Sequence, residues 1–458
     1  MLSTFELLKK YDVAGPRYTS YPTVPAWVDH VGAAEYQHAL QAVKAGETLS
    51  LYFHLPFCEK LCHFCGCFKI ITKDHSRSRA YVDALRAEIK SVAALLPADA
   101  RHVSQIHFGG GTPNFIQPDE LSDLMTEVRA HFTILPRAEI AIEMHPRTTT
   151  QEFCERLAEE GFNRISLGVQ DFDEHVQKLI NRHQTYAMTK DMVERLRALG
   201  FKSFNFDLIY GLPGQTAAMF ARTLELTQTL VPDRLAVYSY AHVPWVSPVQ
   251  RSFKDEDLPS PEDKLKLFEL ANLFFVKNDY QQIGMDHFAK ADDELFQAMQ
   301  EGGLHRNFMG YSTHADAHQI GFGVSSISYV AGHYFQNAKV IADYMKAANE
   351  NYFSTIRGYT LSQDDHVRRA LITEIMCHMR VDKTTFARQH NIDFDAYFAA
   401  DLPLLTGFVE DALLTLTPQE IRVVGDGKLV LRNIAMCFDA HLDAIRRTAK
   451  NPVFSRTV

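Results

Sequence analysis

Cysteine, basic charge and long apolar runs are all scarce in this chain, and each shortage excludes a class of protein. Seven cysteines in 458 residues do not make a disulfide framework, which spreads its cysteines along a short secreted chain. Lys and Arg number 47 against 56 Asp and Glu, a formal net charge of −9, which leaves no basic footprint for nucleic acid or an anionic membrane. No apolar run approaches the ~18 residues of a membrane span, and the opening MLSTFELLKKYD has no hydrophobic signal core. A soluble, cytoplasmic protein without nucleic-acid or membrane partners is expected. Apolar bulk, by contrast, is plentiful. The chain is 46% hydrophobic with 31 Phe and 18 Tyr, which excludes disorder as its main state and suits roughly three domains at about 150 residues each.

From about residue 49, short β-branched or aromatic runs alternate with helical patterns. Strands are predicted at Leu49–Leu55, Val103–Phe108, Glu139–Met144, Arg164–Val169, Ser203–Ile209 and Arg234–Tyr240. Tyr81, Leu85, Ile89, Val92 and Leu96 recur at helical spacing, as do Leu121, Leu124, Met125, Val128 and Phe132. Gln117-Pro118-Asp119-Glu120 marks a helix start, and Gly161 and Gly200 mark stops. Six β-α repeats imply an α/β fold with a parallel sheet, and near-continuous apolar strands such as FNFDLIYG suggest burial on both faces. A seventh strand is predicted at Gln282–Phe288, after a long helix from Pro261 to Asp279. The domain reading is an N-terminal cover segment (1–45), a barrel (46–290), a loop-rich extension crossing back over it (291–360), and a helical C-terminal domain (361–458). That last domain carries a β-hairpin around Arg422–Leu431, turning at Gly425-Asp426-Gly427 in a winged-helix-like arrangement.

The cysteines hold the most chemistry. Four of the seven lie in Cys58-Glu-Lys-Leu-Cys62-His-Phe-Cys65-Gly-Cys67, just past the C-terminal end of the first strand, the face that carries the active site in a parallel barrel. Three thiolates this close on one loop can hold three irons of a four-iron cluster and leave the fourth open to a ligand. Zinc is the competing reading, but zinc sites pair two short elements some distance apart. The next cysteine is Cys154, and His63 would be strained as a fourth ligand. Cys154, Cys377 and Cys437 fall in helical patterns and read as core residues. Gly109-Gly110-Gly111 ends the second strand, as a tight turn, a weak phosphate loop, or a run of backbone N–H groups able to meet a carboxylate. Glu143, Gln170, Asp207 and Ala241 lie at or near the ends of strands three to six. Singly such residues read as caps or loop salt bridges; together on one rim they read as ligand groups.

The C-x3-C-x2-C spacing resembles the signature of radical S-adenosylmethionine (SAM) enzymes. The wider text YFHLPFCEKLCHFCGCFKI, with GPRYTSYPT, HFGGGTP, GVQDF, DLIYGLPGQT, GMDHFA, HRNFMGY and RNIAMCFD, resembles the oxygen-independent coproporphyrinogen III oxidases along most of the chain. The resemblance implies a partial (β/α)6 TIM-like radical SAM barrel. It also implies a [4Fe-4S] cluster on Cys58, Cys62 and Cys65, whose open iron binds SAM and whose electron cleaves it to methionine and a 5′-deoxyadenosyl radical. Two SAM molecules are implied, with Tyr52, Phe64, Gly110, Gly111, Thr112, Glu143, Gln170, Arg182, Asp207, Ala241 and Ile327 lining their pockets. Carboxylates suit an ammonium or ribose hydroxyls, and Arg182 suits a carboxylate. Cys67 is expected to act in the site beyond cluster ligation.

The implied substrate is coproporphyrinogen III, two of whose four propionates lose CO2 to leave the vinyl groups of protoporphyrinogen IX in haem biosynthesis. Arg17 and the tyrosines around it are expected to cover this polyanion. His314 and His318 fall in the loops near Gly310-Tyr311, and His314 is a second substrate candidate. A low-potential flavodoxin or ferredoxin is the implied electron donor, and the family leans to monomers. Two departures are visible: Glu143-Met-His145-Pro146 where the family has E-x-D-P, and Ser312-Thr313-His314 where it has T-T-Q. Both are expected near the substrate. The competing functions are a haem chaperone or a haem-modifying relative, disfavoured by Cys67 and the Gly15–Thr23 block, and a zinc-stabilised scaffold without catalysis.

Overall fold

The computed structural model describes residues 3–245, 247–315, 317–449 and 453–457. Six strands follow one another in parallel: β1 (Thr48–Leu55), β2 (His102–Gly110), β3 (Thr133–Met144), β4 (Arg164–Gln170), β5 (Ser203–Tyr210) and β6 (Arg234–Ser239). Between them run α1 (Ser76–Leu95), α2 (Pro118–His131), α3 (Gln151–Glu159), α4 (Glu174–Leu179), α5 (Tyr186–Ala198) and α6 (Ala217–Thr229). The helix signals act as read. Gln117 and Glu120 form a capping box with Pro118 at the first turn, and Gly161 and Gly200 follow α3 and α5 with φ of 77° and 96°.

The strands are not apolar on both faces, as had been expected. They alternate. Leu49, Leu51, Phe53 and Leu55 of β1 are fully buried and share one core with Tyr81, Leu85 and Ile89 of α1, while Ser50, Tyr52 and His54 between them point to the barrel interior. FNFDLIYG behaves likewise: Phe204, Phe206 and Leu208 pack outward, and Asn205 and Asp207 face in. Polar ladders therefore line the interior, with Ser50 Oγ donating to Gln105 Oε1 at 2.7 Å and Gln105 Nε2 to Glu139 Oε1 at 2.9 Å.

The predicted seventh strand is instead a hairpin after α7 (Pro261–Lys277): β7 (Tyr280–Ile283) and β8 (His287–Lys290), with β8 antiparallel to β6. Gly284, at φ 54°, breaks the run at the turn. The expected loop-rich stretch is also strand. β9 (His318–Phe322) pairs parallel to the free edge of β1, and β10 (Ile327–Val330), β11 (His333–Asn337) and β12 (Thr355–Thr360) extend it antiparallel. Its small residues permit close strand approach, since a Cβ on Gly321 would come within 2.5 Å of Ile327 O. The sheet order is β12-β11-β10-β9-β1-β2-β3-β4-β5-β6-β8-β7.

The C-terminal part packs α8 (Gln363–His378) and shorter helices around a three-stranded antiparallel sheet of Arg380–Asp382, Leu414–Leu416 and Glu420–Val423. Its hairpin turns at Thr417–Gln419, where Thr417 Oγ1 accepts from Glu420 N at 3.0 Å. The predicted turn at Gly425–Gly427 is a 3-10 segment instead. Cys154 and Cys377 are buried as expected; Cys437 is only half-buried, at the end of the short helix Leu431–Met436. The N-terminal segment splits in two. Leu7, Leu8, Tyr18 and Tyr21 pack into the C-terminal core, whereas Tyr36 and Leu40 join the barrel core. Among the described residues no helix is long and apolar enough to cross a membrane.

Candidate active site

The cysteine loop leaves the end of β1 and is pinned at its base by parallel pairing of Phe57–Cys58 with Ile70–Ile71. Its carbonyls are capped from several elements. Asn181 Nδ2 donates to Leu61 O at 2.8 Å, Gln250 Nε2 to Phe64 O at 3.0 Å and Ser247 Oγ to Cys65 O at 3.1 Å. Lys69 Nζ reaches both Cys65 O (3.0 Å) and Cys67 O (3.2 Å). His63 is turned away, its N–H donating to Ile180 O and its Nδ1 lying 3.0 Å from Leu179 O. It is held by the end of α4 and is no ligand.

The loop borders a cavity of about 990 Å³ at the C-terminal end of the parallel strands, lined by Cys58, Cys62, Cys65 and Cys67 together with Tyr52, Phe64, Gly110, Gly111, Thr112, Glu143, Gln170, Arg182, Asp207 and Ile327. Cys58, Cys62 and Cys65 are half-buried. Burial pushes the Cys58 thiol up to about 11, so its thiolate needs a positive ligand at neutral pH. Thr112 Oγ1 donates to Cys58 Sγ at 3.3 Å and Arg182 Nη1 to Cys62 Sγ at 3.7 Å. Arg182 Nη2 also bonds Gly168 O, while its buried Nε has no partner among the described residues. A donor set of three thiols, with an orphaned guanidinium nitrogen beside it, fits a four-iron cluster carrying an anionic ligand. Among the described residues no three His, Cys, Asp or Glu side chains are gathered as a single metal ion requires. Cys67 is exposed, its thiol beside that of Cys65.

Two carboxylates, Glu143 and Asp207, line the cavity close enough to repel each other. Burial pushes Glu143 up, but hydrogen bonds from His107 Nε2 (3.2 Å) and the Gly110 amide (3.2 Å) outweigh it and hold the carboxyl below its usual range. Burial pushes Asp207 up to about 7, repulsion from Glu143 adds to this, and Asn205 Nδ2 donates to Oδ1 at 2.9 Å. Such a pair suits a cationic ligand group. Gln170 sits at a bulge with φ 67°, which turns its side chain beside Arg182.

The glycine run works differently from its expected carboxylate cradle. Gly110 N donates to Glu143, Gly111 N to Leu55 O at 2.8 Å and Thr112 N to Phe57 O at 2.9 Å, so these N–H groups are spent. The glycines instead let β2 approach the cysteine loop: a Cβ on Gly111 would stand 2.7 Å from the Pro56 carbonyl.

Three expected site residues lie elsewhere. Ala241 is half-buried beyond the end of β6 and does not line the cavity, where Tyr238 and Ser247 take that wall. Arg17 Nη2 donates to Ser239 O at 3.2 Å and lines a separate recess. His314 lies at the opposite end of the barrel, in a small pocket with Ser50 and Gln319 beside the Glu139–Arg164 pair. The other departure, His145, does line the cavity, but its Nδ1 accepts from Arg147 N at 3.2 Å and caps the turn Pro146–Thr148. That is the work an aspartate does at such a position. Burial, with Arg182 and Arg147 adding, keeps His145 neutral. Reading the sequence missed His54, Lys69, Phe308 and Met309 as cavity residues. The inward alternation of β1 signals His54; Phe308 and Met309 sit in a motif that offered no chemistry of its own.

The radical SAM superfamily model matches residues 52–227. The chain is 44% identical over 452 residues to the oxygen-independent coproporphyrinogen III oxidase of Escherichia coli K12, covering 99% of this chain and 98% of that relative. It is 42% identical over 456 residues to that of Pseudomonas aeruginosa, covering 99% and 98%. The solved structure described as coproporphyrinogen III oxidase (HemN) from Escherichia coli, a radical SAM enzyme, superposes with a TM-score of 0.89 at 44% identity, covering 93% of this chain and 97% of that one. Agreement over nearly the whole of both chains, in sequence and in fold alike, makes this protein a member of the oxygen-independent coproporphyrinogen III oxidases, within the radical SAM superfamily.

Proposed function

We propose that the protein converts two propionates of coproporphyrinogen III to vinyl groups without oxygen, giving protoporphyrinogen IX. The observation that carries this is the thiol loop opening onto a 990 Å³ cavity in a chain 44% identical to such an oxidase over nearly its full length. In this reading Cys58, Cys62 and Cys65 hold the [4Fe-4S] cluster, and Cys67 serves the reaction from beside it. When bound, the cluster and SAM supply a 5′-deoxyadenosyl radical, and the protein's part is positioning.

Arg182 offers its unpartnered Nε to a carboxylate. Glu143 and Asp207 offer negative charge to ammonium or ribose groups, and Gln170 is held beside Arg182 by its left-handed backbone. Tyr52, whose hydroxyl lies 3.2 Å from His54 Nδ1, walls the cavity with Phe64, Gly110, Gly111, Thr112 and Ile327. A volume near the top of the range for ligand sites supports two SAM molecules. For each propionate, one hydrogen atom would leave to the SAM-derived radical, the bond to the carboxylate carbon would break to release CO2, and one electron would pass to an external one-electron acceptor. A low-potential donor such as flavodoxin or ferredoxin feeds a monomer in the cytoplasm.

The test is anaerobic incubation of reconstituted protein with reductant, SAM and coproporphyrinogen III. Release of CO2 with two new vinyl groups is expected. Stable binding of haem with no conversion of the porphyrinogen would overturn the reading in favour of a chaperone.

A further inference from the structure

Asp171 of GVQDF and Gln215 of DLIYGLPGQT meet in the packed interior, off the lining of the large cavity. Asp171 is fully buried and Gln215 nearly so. A buried carboxylate is costly unless its lone pairs are filled. Three neutral donors meet this one: Thr223 Oγ1 at 2.6 Å and the Asp173 amide at 2.7 Å on Oδ1, and Gln215 Nε2 at 2.6 Å on Oδ2. Burial pushes the carboxyl up to about 6, with repulsion from Asp173 adding. Above that pH it is ionised and can only accept.

The Gln215 amide is fixed in one orientation. Its Oε1 accepts from Gly211 N at 2.6 Å and Leu212 N at 3.3 Å, and its Nε2 donates to Ile209 O at 3.0 Å as well as to Asp171. Amide and carboxylate are thus matched, donor to acceptor, between the ends of β4 and β5. Gln170, next in the chain to Asp171, holds its left-handed conformation at the β4 bulge. On the other side, Asp171 Oδ1 fixes the amide of Asp173, whose own side chain caps α4 at His175 N and Val176 N. Gln177 of α4 donates from Nε2 to Asp171 O at 2.8 Å, and its backbone carbonyl accepts from Arg182 N at 2.9 Å. Gln170 and Arg182 are thereby tied to one carboxylate, and Gln215 ties that carboxylate to the end of the strand that carries Asp207.

We propose that Asp171 and Gln215 are a positioning pair that sets Gln170 and Arg182 against Asp207 for bound SAM, through the polarity of one buried hydrogen bond. This role rests on the SAM site of the decarboxylase reading, although neither residue lines the cavity itself.

The experiment measures anaerobic equilibrium binding of SAM to the full-length, cluster-loaded protein and its variants. Asp171→Asn sets an amide N–H against that of Gln215 and should weaken SAM binding about 10-fold at unchanged iron content. Gln215→Glu sets carboxylate against carboxylate and should weaken it as much. The two together exchange donor and acceptor, and should recover binding to within about 3-fold of wild type. Thr223→Val removes one donor and leaves the charge. It should weaken SAM binding about 3-fold, and it carries the test if Asp171→Asn fails to load iron. Cys154→Ala, a truncation in the core beside α3, should lower the thermal midpoint without moving SAM affinity, which separates positioning from lost stability. Wild-type affinity in both Asp171→Asn and Thr223→Val, or a double variant no better than Asp171→Asn, overturns the proposal. A wild type that binds no SAM overturns the decarboxylase reading itself, and this role with it.

Discussion

Asp207 offers a quantitative test of how the cavity holds its cationic ligand. Its carboxyl is pushed up to about 7, by burial first and by Glu143 second, whereas Glu143 is held below the usual range and stays ionised. A raised carboxyl binds a cationic group well above its pKa and loses that affinity as pH falls. With a midpoint of about 7, Asp207 is about half ionised at pH 7 and about one-eleventh ionised at pH 6. SAM affinity should therefore weaken about 5-fold over that unit and approach about 10-fold per unit below it. Asp207→Asn should bind SAM weakly at every pH and lose this part of the profile. SAM's own amine titrates in both proteins, so the difference between them isolates Asp207. Burial also favours ionisation in the unfolded chain, so ligand-free wild type loses stability as pH rises from about 4 towards 7. The rise from the usual 3.8 to about 7 is worth about 4 kcal/mol at pH 8, so Asp207→Asn should melt about 4 °C higher there. The assay is anaerobic calorimetric titration of SAM between pH 6 and 8.5. A wild-type profile that Asp207→Asn reproduces unchanged would refute the reasoning.

Three further outcomes follow from the geometry. Gly111→Ala drives a Cβ to 2.7 Å from the Pro56 carbonyl, so it should cost about 1–3 kcal/mol and reduce iron content on reconstitution. Gly66→Ala, with open space around it, should do neither; equal iron loading in the two variants would contradict the packing role. His441 Nε2 lies 2.6 Å from Asp365 Oδ1, a bond that raises the imidazole. Its contribution to stability should be full below about pH 6.5 and fade as pH rises through the raised value. His441→Ala should therefore narrow its deficit in thermal midpoint between pH 6 and 9, and a deficit independent of pH would count against the pair. Cys67→Ser should keep the cluster's absorbance and iron content yet lose most turnover, while wild-type turnover would make Cys67 a bystander.

The sequence was most legible where signals are local. Six parallel strands, the cysteine loop and the capping residues of α2 all stand in short windows, and the structure has them within a few residues, save that β3 begins at Thr133 and not at Glu139. Burial on both strand faces was misread, because Asn205 and Asp207 interrupt FNFDLIYG at the strand period and a barrel enclosing a cavity needs that alternation. Strands β9 to β12 were hidden by Gly, Ser and His, which resemble loop composition although Gly321 is there for strand contact. His314 was assigned by its closeness in sequence to a motif, and only the chain's path shows that it lies at the far end of the barrel. The amides of Gly111 and Thr112 are spent on carbonyls far away in sequence, at the base of the cysteine loop, and the capping role of His145 depends on the orientation of its ring, so neither stands in a short window of sequence.

The central claim is that Cys58, Cys62 and Cys65 together hold the cluster that opens SAM. Its most direct test is reductive SAM cleavage by the anaerobically reconstituted protein and by Cys62→Ser. Wild type should form methionine and 5′-deoxyadenosine, and the variant should form neither and hold no intact cluster. SAM cleavage by the variant, or a colourless wild-type protein that holds only zinc, would contradict it.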